Sequence, residues 1–91
     1  MRPLLIISKS LFHQNSNHVI CVGLTTSKEI RPYLIPLSKK QLENGELDSD
    51  SQVMCHRITS IRQDTVFKIA RVTPNFYKSV VEKLKGDILE L

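Results

Sequence analysis

Three consecutive hydroxyl residues, Thr25, Thr26 and Ser27, close the apolar run that starts at His18 in HVICVGLTTS, and two cations, Lys28 and Arg31, follow at once. Hydroxyls donate and accept hydrogen bonds, and ammonium and guanidinium groups balance negative charge. At the mouth of a strand that opens into a surface pocket, such hydroxyls would serve as hydrogen-bonding groups beside a basic surface. The same residue types also make an ordinary polar turn, which on their chemistry alone is the commoner use. A guanidinium at the other end of the sequence, Arg2, sits immediately before a Pro and the apolar run LLII.

Other reactive side chains are scattered. Cys21 and Cys55 each lie inside an apolar strand-like run, without a CxxC spacing, and read as buried thiols rather than as a disulfide or metal ligands. His13, His18 and His56 form no cluster, and His56 follows Cys55 directly, so the two point to opposite faces of a strand. Neither a metal nor an organic cofactor is expected.

To position those groups the chain has 91 residues, enough for one domain over residues 1–91, and a 41% hydrophobic fraction with no Trp, which describes an aliphatic core. No apolar stretch approaches the roughly 20 residues that cross a bilayer, and the leading LLII is too short for a secretory signal. A cytoplasmic protein without membrane contact is expected. The net charge of +4 is unevenly spread: six basic residues and one acidic residue precede Gln41, and Glu43, Glu46, Asp48 and Asp50 then form an acidic patch. Such a basic surface beside the hydroxyls could draw a polyanion, nucleic acid being the common case.

The hydropathy pattern predicts mostly strands. Arg2 to Ser8 is apolar on both alternations and is expected as a central, doubly covered strand. Lys9 to Asn17 is a connection with a short helical turn that tucks in Leu11 and Phe12. His18 to Leu24 is a strand buried on both faces, and Lys28 to Pro32 is a basic loop expected to act as a mobile lid. Pro36 sends Tyr33 to Leu37 to a sheet edge. Ser38 to Asp50 reads as a polar connection turning at Asn44-Gly45, and Ser51 to Ile61 as a strand whose buried pattern continues past a kink through Ile58 and Ile61. Val66 to Val72 alternates as a strand. Thr73 as N-cap and Pro74 at the first helical position begin a helix whose stripe is Phe76, Tyr77, Val80, Val81, Leu84 and Ile88, with Gly86 weakening its last turn. The fold class is mainly β with a C-terminal helix, a small β-barrel or rolled sheet capped by that helix.

The wording of several segments resembles the MazF/PemK/Kid family of toxin endoribonucleases. The matching pieces are RPLLIIS at Arg2 to Ser8, CVGLTTS at Cys21 to Ser27, YLIPL at Tyr33 to Leu37, DSQVMC at Asp50 to Cys55, and IARVTPNFYKSVVEKL at Ile69 to Leu84. The resemblance implies an SH3-like barrel of the MazF/CcdB kind, a homodimer, and metal-independent cleavage of single-stranded RNA to 2′,3′-cyclic phosphate and 5′-hydroxyl ends. It further implies a cognate antitoxin whose acidic, extended tail covers the RNA groove. The family's essential Arg falls on Arg2 and its essential Thr on Thr25, with Thr26, Ser27, Lys28, Arg31, His56 and Arg57 as substrate-binding candidates. At His56, Arg57 and Thr59 the family tends to show an acidic residue, a Gln and a basic residue, so one wall of the groove differs. Family members also carry a strand and a Gly-rich loop before the Arg-Pro. A domain short at its N-terminus is therefore expected, its fold kept and its activity in question. The alternative function is a non-catalytic binding module on the same barrel, in the manner of CcdB.

Overall fold

Strands form in this chain where β-branched and aliphatic residues run together, and a helix forms where they recur at every third or fourth position. The structure, a computed structural model, describes residues 3–9 and 14–89. Among these the strands are β1 (Leu4–Ile6), β2 (His18–Thr25), β3 (Leu34–Leu37), β4 (Leu42–Gly45), β5 (Ser51–Arg62) and β6 (Ala70–Val72). Helix α1 (Pro74–Lys83) follows and widens into a π-helical turn over Leu84–Ile88.

Four strands make one antiparallel sheet in the order β1-β2-β5-β3, and β4 pairs with β6 in a second, two-stranded sheet. Among the described residues the expected barrel is thus realised as two sheets that do not close into a ring. Its core lies between the large sheet and α1. Leu5, Val22, Leu24, Leu37, Val53 and Cys55 meet Phe76, Val80 and Leu84 there, all buried. The expected helix start is present: the Thr73 hydroxyl accepts from the Phe76 N–H at 3.2 Å, with Pro74 opening the first turn. Tyr77 ties the helix to the end of β1, its hydroxyl donating to the Ile7 carbonyl at 2.6 Å. The expected double burial of β2 is also seen, with Val19, Cys21, Val22, Gly23 and Leu24 all buried.

Several expectations give way to pairing that hydropathy does not encode. Among the described residues β1 is a sheet edge, not a centre, and of its three residues only Leu5 is buried. The supposed polar connection contains β4, whose Leu42, Asn44 and Gly45 pair with β6 while Glu43 falls at an irregularity in the register. Gly45 does not make a hairpin turn. It holds φ 78° where the strand runs against Ile69 and Ala70, a backbone approach that leaves no space for a side chain. The strand expected over Val66 to Val72 is reduced to β6, and Phe67 and Ile69 are exposed. Ile58 is exposed and Ile61 half-buried, so the buried pattern of β5 stops at its kink. The turn expected to hold Leu11 and Phe12 lies outside the described residues.

Candidate functional site

The kink in β5 builds the site. Along β2, Val22 stands opposite Ile58 while its neighbour Gly23 stands opposite Met54, so Cys55, His56 and Arg57 have no counterpart on β2. A bulge of this kind bends its strand and re-aims the side chains within it. Here Cys55 turns into the core, and His56 and Arg57 are exposed. The pairing with β3 ends at the same place: Leu34 is opposite Met54, and the Cys55 N–H donates to the Tyr33 carbonyl at 3.1 Å. That bond sets the Tyr33 ring beside the His56 imidazole, with centroids 4.2 Å apart and planes tilted by 58°.

A groove of about 640 Å³ opens under the bulge, lined by Pro3, Leu4, Gly23, Leu24, Met54, His56, Arg57, Ile58 and Thr59. Its floor follows from strand register. Leu4, Gly23 and Met54 face one another in a single cross-strand row through β1, β2 and β5. A Cβ at Gly23 would lie 2.8 Å from the Met54 methyl, so the missing side chain is what lets Met54 lie across the row. Among the described residues, Arg57 is the one charged residue in the lining.

The groove stops at Leu24, one residue short of the hydroxyl cluster. Thr25 is half-buried, and Thr26, Ser27, Lys28 and Arg31 are exposed on the loop that follows. Thr25 Oγ1 accepts from the Ser27 N–H at 3.2 Å, and Ser27 Oγ accepts from the Glu29 N–H at 3.3 Å. Gln52, opposite Thr25 in the ladder, donates from Nε2 to the carbonyls of Ser27 and Glu29 at 2.8 Å each. The expected lid is therefore fastened at its base by a β5 side chain. Arg31 pairs with Glu29 at 3.5 Å in solvent, and Ile30 at the tip is 91% exposed. Arg2 lies outside the described residues.

The structure thus brings His56 and Arg57 into one groove and sets Thr25 to Arg31 on the adjoining loop. Sequence reasoning missed Gln52, Tyr33 and Met54. Their types are unremarkable in a strand, and their roles come from cross-strand partners more than 20 residues away. The two thiols take no part: burial pushes both Cys21 and Cys55 up from the ordinary value, with Lys83 partly offsetting this at Cys55. Among the described residues, no three His, Cys, Asp or Glu side chains gather where they could hold a metal ion. No described helix is long and apolar enough to cross a membrane.

A family model described as PemK-like, MazF-like toxin of type II toxin-antitoxin system matches residues 1–86. Among solved structures the fold is similar to that of the Mycobacterium tuberculosis toxin MazF-mt6, with TM-score 0.77 and 17% identity over 99% of this chain and 87% of that one. It is similar to an endoribonuclease in complex with its cognate antitoxin from a mycobacterial species, with TM-score 0.81 and 21% identity over 99% and 82% of the two chains. It is also similar to MazE-MazF from Deinococcus radiodurans, with TM-score 0.80 and 16% identity over 99% and 83%. At these identities the likeness is one of fold. No curated protein matches the sequence.

Proposed function

The chain belongs to the PemK-like, MazF-like toxins of type II toxin-antitoxin systems, and on that premise we propose that it is a metal-independent endoribonuclease acting on single-stranded RNA in the cytoplasm. In the reaction the 2′-oxygen bonds to the adjacent phosphorus as it loses its proton, and the bond from phosphorus to the 5′-oxygen breaks. The products are a 2′,3′-cyclic phosphate and, once the departing oxygen is protonated, a 5′-hydroxyl. Negative charge builds on the non-bridging oxygens as the phosphorus becomes five-coordinate, and fixed donors aimed at those oxygens lower the barrier.

Arg2 and Thr25 are the proposed donors. The observation that carries the assignment is the register of β1 on β2: Leu4 opposite Gly23, Leu5 opposite Val22 and Ile6 opposite Cys21. Gly23 lies two residues before the end of β2 at Thr25, so the start of β1 and the end of β2 share one rim of the sheet. A guanidinium offers forked N–H donors to phosphate oxygens and is too weak an acid to serve as a base at neutral pH. The bond from the Ser27 N–H occupies a lone pair of Thr25 Oγ1, so the hydroxyl keeps its own proton to give to a phosphate oxygen. Thr26, Ser27, Lys28 and Arg31 would hold neighbouring phosphates from the loop that Gln52 fastens, and His56 and Arg57 would do so from the groove.

The mycobacterial and Deinococcus structures include antitoxin partners. By the same reading this protein is a homodimer whose basic groove is closed by the acidic tail of its own antitoxin. Digestion of a long unstructured RNA in excess chelator, with the ends mapped, tests the function. Cleavage to cyclic phosphates that Thr25→Ala reduces about 100-fold or more is expected, the loss typical of removing one such donor. RNA left intact would refute the nuclease, and binding without scission would leave a non-catalytic binder on this fold.

A further inference from the structure

A hydroxyl can give its proton to a phosphate only if something keeps it turned that way, and at Thr25 the means is a β5 side chain. We propose that Gln52 is a positioning residue for cleavage, holding the Ser27 and Glu29 main chain so that the Thr25 hydroxyl keeps its proton directed at the phosphate. The inference rests on the reading of the protein as an RNA-cleaving enzyme and names what sets its Thr25 donor.

In β5, Ser51, Val53 and Cys55 are buried, so the alternation of a strand sends Gln52 to the opposite face. Thr25 is its partner across the ladder, and residues paired in this way share a face of the sheet. Beyond Thr25 the chain is neither strand nor helix over residues 26–31. Hydrogen bonds hold it instead. The Ser27 N–H donates to Thr25 Oγ1 at 3.2 Å and the Glu29 N–H to Ser27 Oγ at 3.3 Å. Gln52 Nε2 gives one of its two protons to each of the Ser27 and Glu29 carbonyls, both at 2.8 Å. Ser27 and Glu29 are thus each fixed at N–H and at C=O, and Lys28 stands exposed between them. The hydroxyl bonds are local, of the kind any short turn can make and break. The Gln52 bonds reach back 25 and 23 residues, and they fasten that turn to the sheet. Without the amide the Ser27 N–H is free to swing off Thr25 Oγ1, and the hydroxyl loses its set direction. A carboxylate of the same length could not serve, because it has only acceptors to offer two carbonyls.

The test is single-turnover cleavage of a long unstructured RNA in excess chelator by wild type, Gln52→Ala, Gln52→Glu, Thr25→Ala and the Gln52→Ala/Thr25→Ala pair, with urea denaturation of each. Gln52→Ala is expected to slow cleavage about tenfold or more, as a small misplacement of a reacting group does. In the Thr25→Ala protein, where there is no hydroxyl to direct, it is expected to add nothing. Gln52→Glu is expected to be as slow at about pH 8 and to gain on wild type as the pH falls towards 5, because a carboxyl facing two carbonyls takes up a proton more readily and can then donate. Gln52 variants that cut as fast as wild type, or a Gln52→Glu rate that stays in constant ratio to wild type across this range, would overturn the positioning role and leave the nuclease standing. Equal losses with and without Thr25, or losses that follow the unfolded fraction, would make Gln52 a support of the fold and overturn the role as well. RNA left intact by wild type would overturn the role and the nuclease together.

Discussion

The two halves of β5 are continuous in the chain and opposite in use. From Gln52 to Met54 the strand has β2 on one flank and β3 on the other, and Ser51, Val53 and Cys55 in this half are buried. Among the described residues, β2 alone pairs with it from Ile58 to Arg62, and from His56 to Arg62 every residue except the half-buried Ile61 is exposed. Hydropathy does not separate them, since Ile58 and Ile61 are as apolar as Val53. The boundary is the three-residue slip in register at the bulge. Flanking partners and the place where pairing slips decide whether a residue here supports the core or faces outward.

An acid placed on each half should break that contrast most sharply. Val53→Asp sets an unpaired carboxylate where a side chain is wholly enclosed, and a loss of several kcal/mol, enough to unfold the domain, is expected. Ile58→Asp should change stability by no more than about 0.5 kcal/mol, as at an ordinary surface position. Urea denaturation of both variants is the check, and equal losses would erase the distinction between the halves.

A smaller effect tests how the core side is fastened. Tyr77→Phe removes the hydroxyl that reaches Ile7 and should cost about 1 kcal/mol in the same assay.

The smallest concerns the thiols, since Cys55 closes the buried half. Burial raises both cysteines above the ordinary 9.0, so the folded protein keeps its protons where the unfolded chain has released them. Their contribution to stability is fully present below pH 9.0 and is lost as the pH climbs through the raised folded values. A melting temperature that falls on the alkaline side, and falls less steeply for Cys55→Ala, is expected.

The contrast also explains what could be read from residue order. Thr73 and Pro74 announce the helix because capping is a matter of three or four adjacent residues. The buried β2 was legible because its apolar run has no polar interruption. β4 was not, because the polar Asn44 enters a strand through its main chain, and an Asn-Gly pair that signals a turn is used instead for a close approach to Ala70. The edge position of β1 likewise depends on which strands lie beside it, and nothing within Leu4–Ile6 states that. For the site, the hydroxyls and cations of Thr25 to Arg31 stood out as a polar end to an apolar run. The Gln52 tether and the Tyr33 contact with His56 stood out in no way, since each joins segments about two dozen residues apart.

The proposed chemistry requires the Arg2 guanidinium and the Thr25 hydroxyl to grip the same phosphate. Single-turnover cleavage in chelator by wild type, Arg2→Ala, Thr25→Ala and the double variant measures this directly. Groups that act as a unit are not additive, so each single change should cost about 100-fold or more and the double variant little beyond that. Losses that multiply in full, or a Thr25→Ala protein that cuts as fast as wild type, would contradict it.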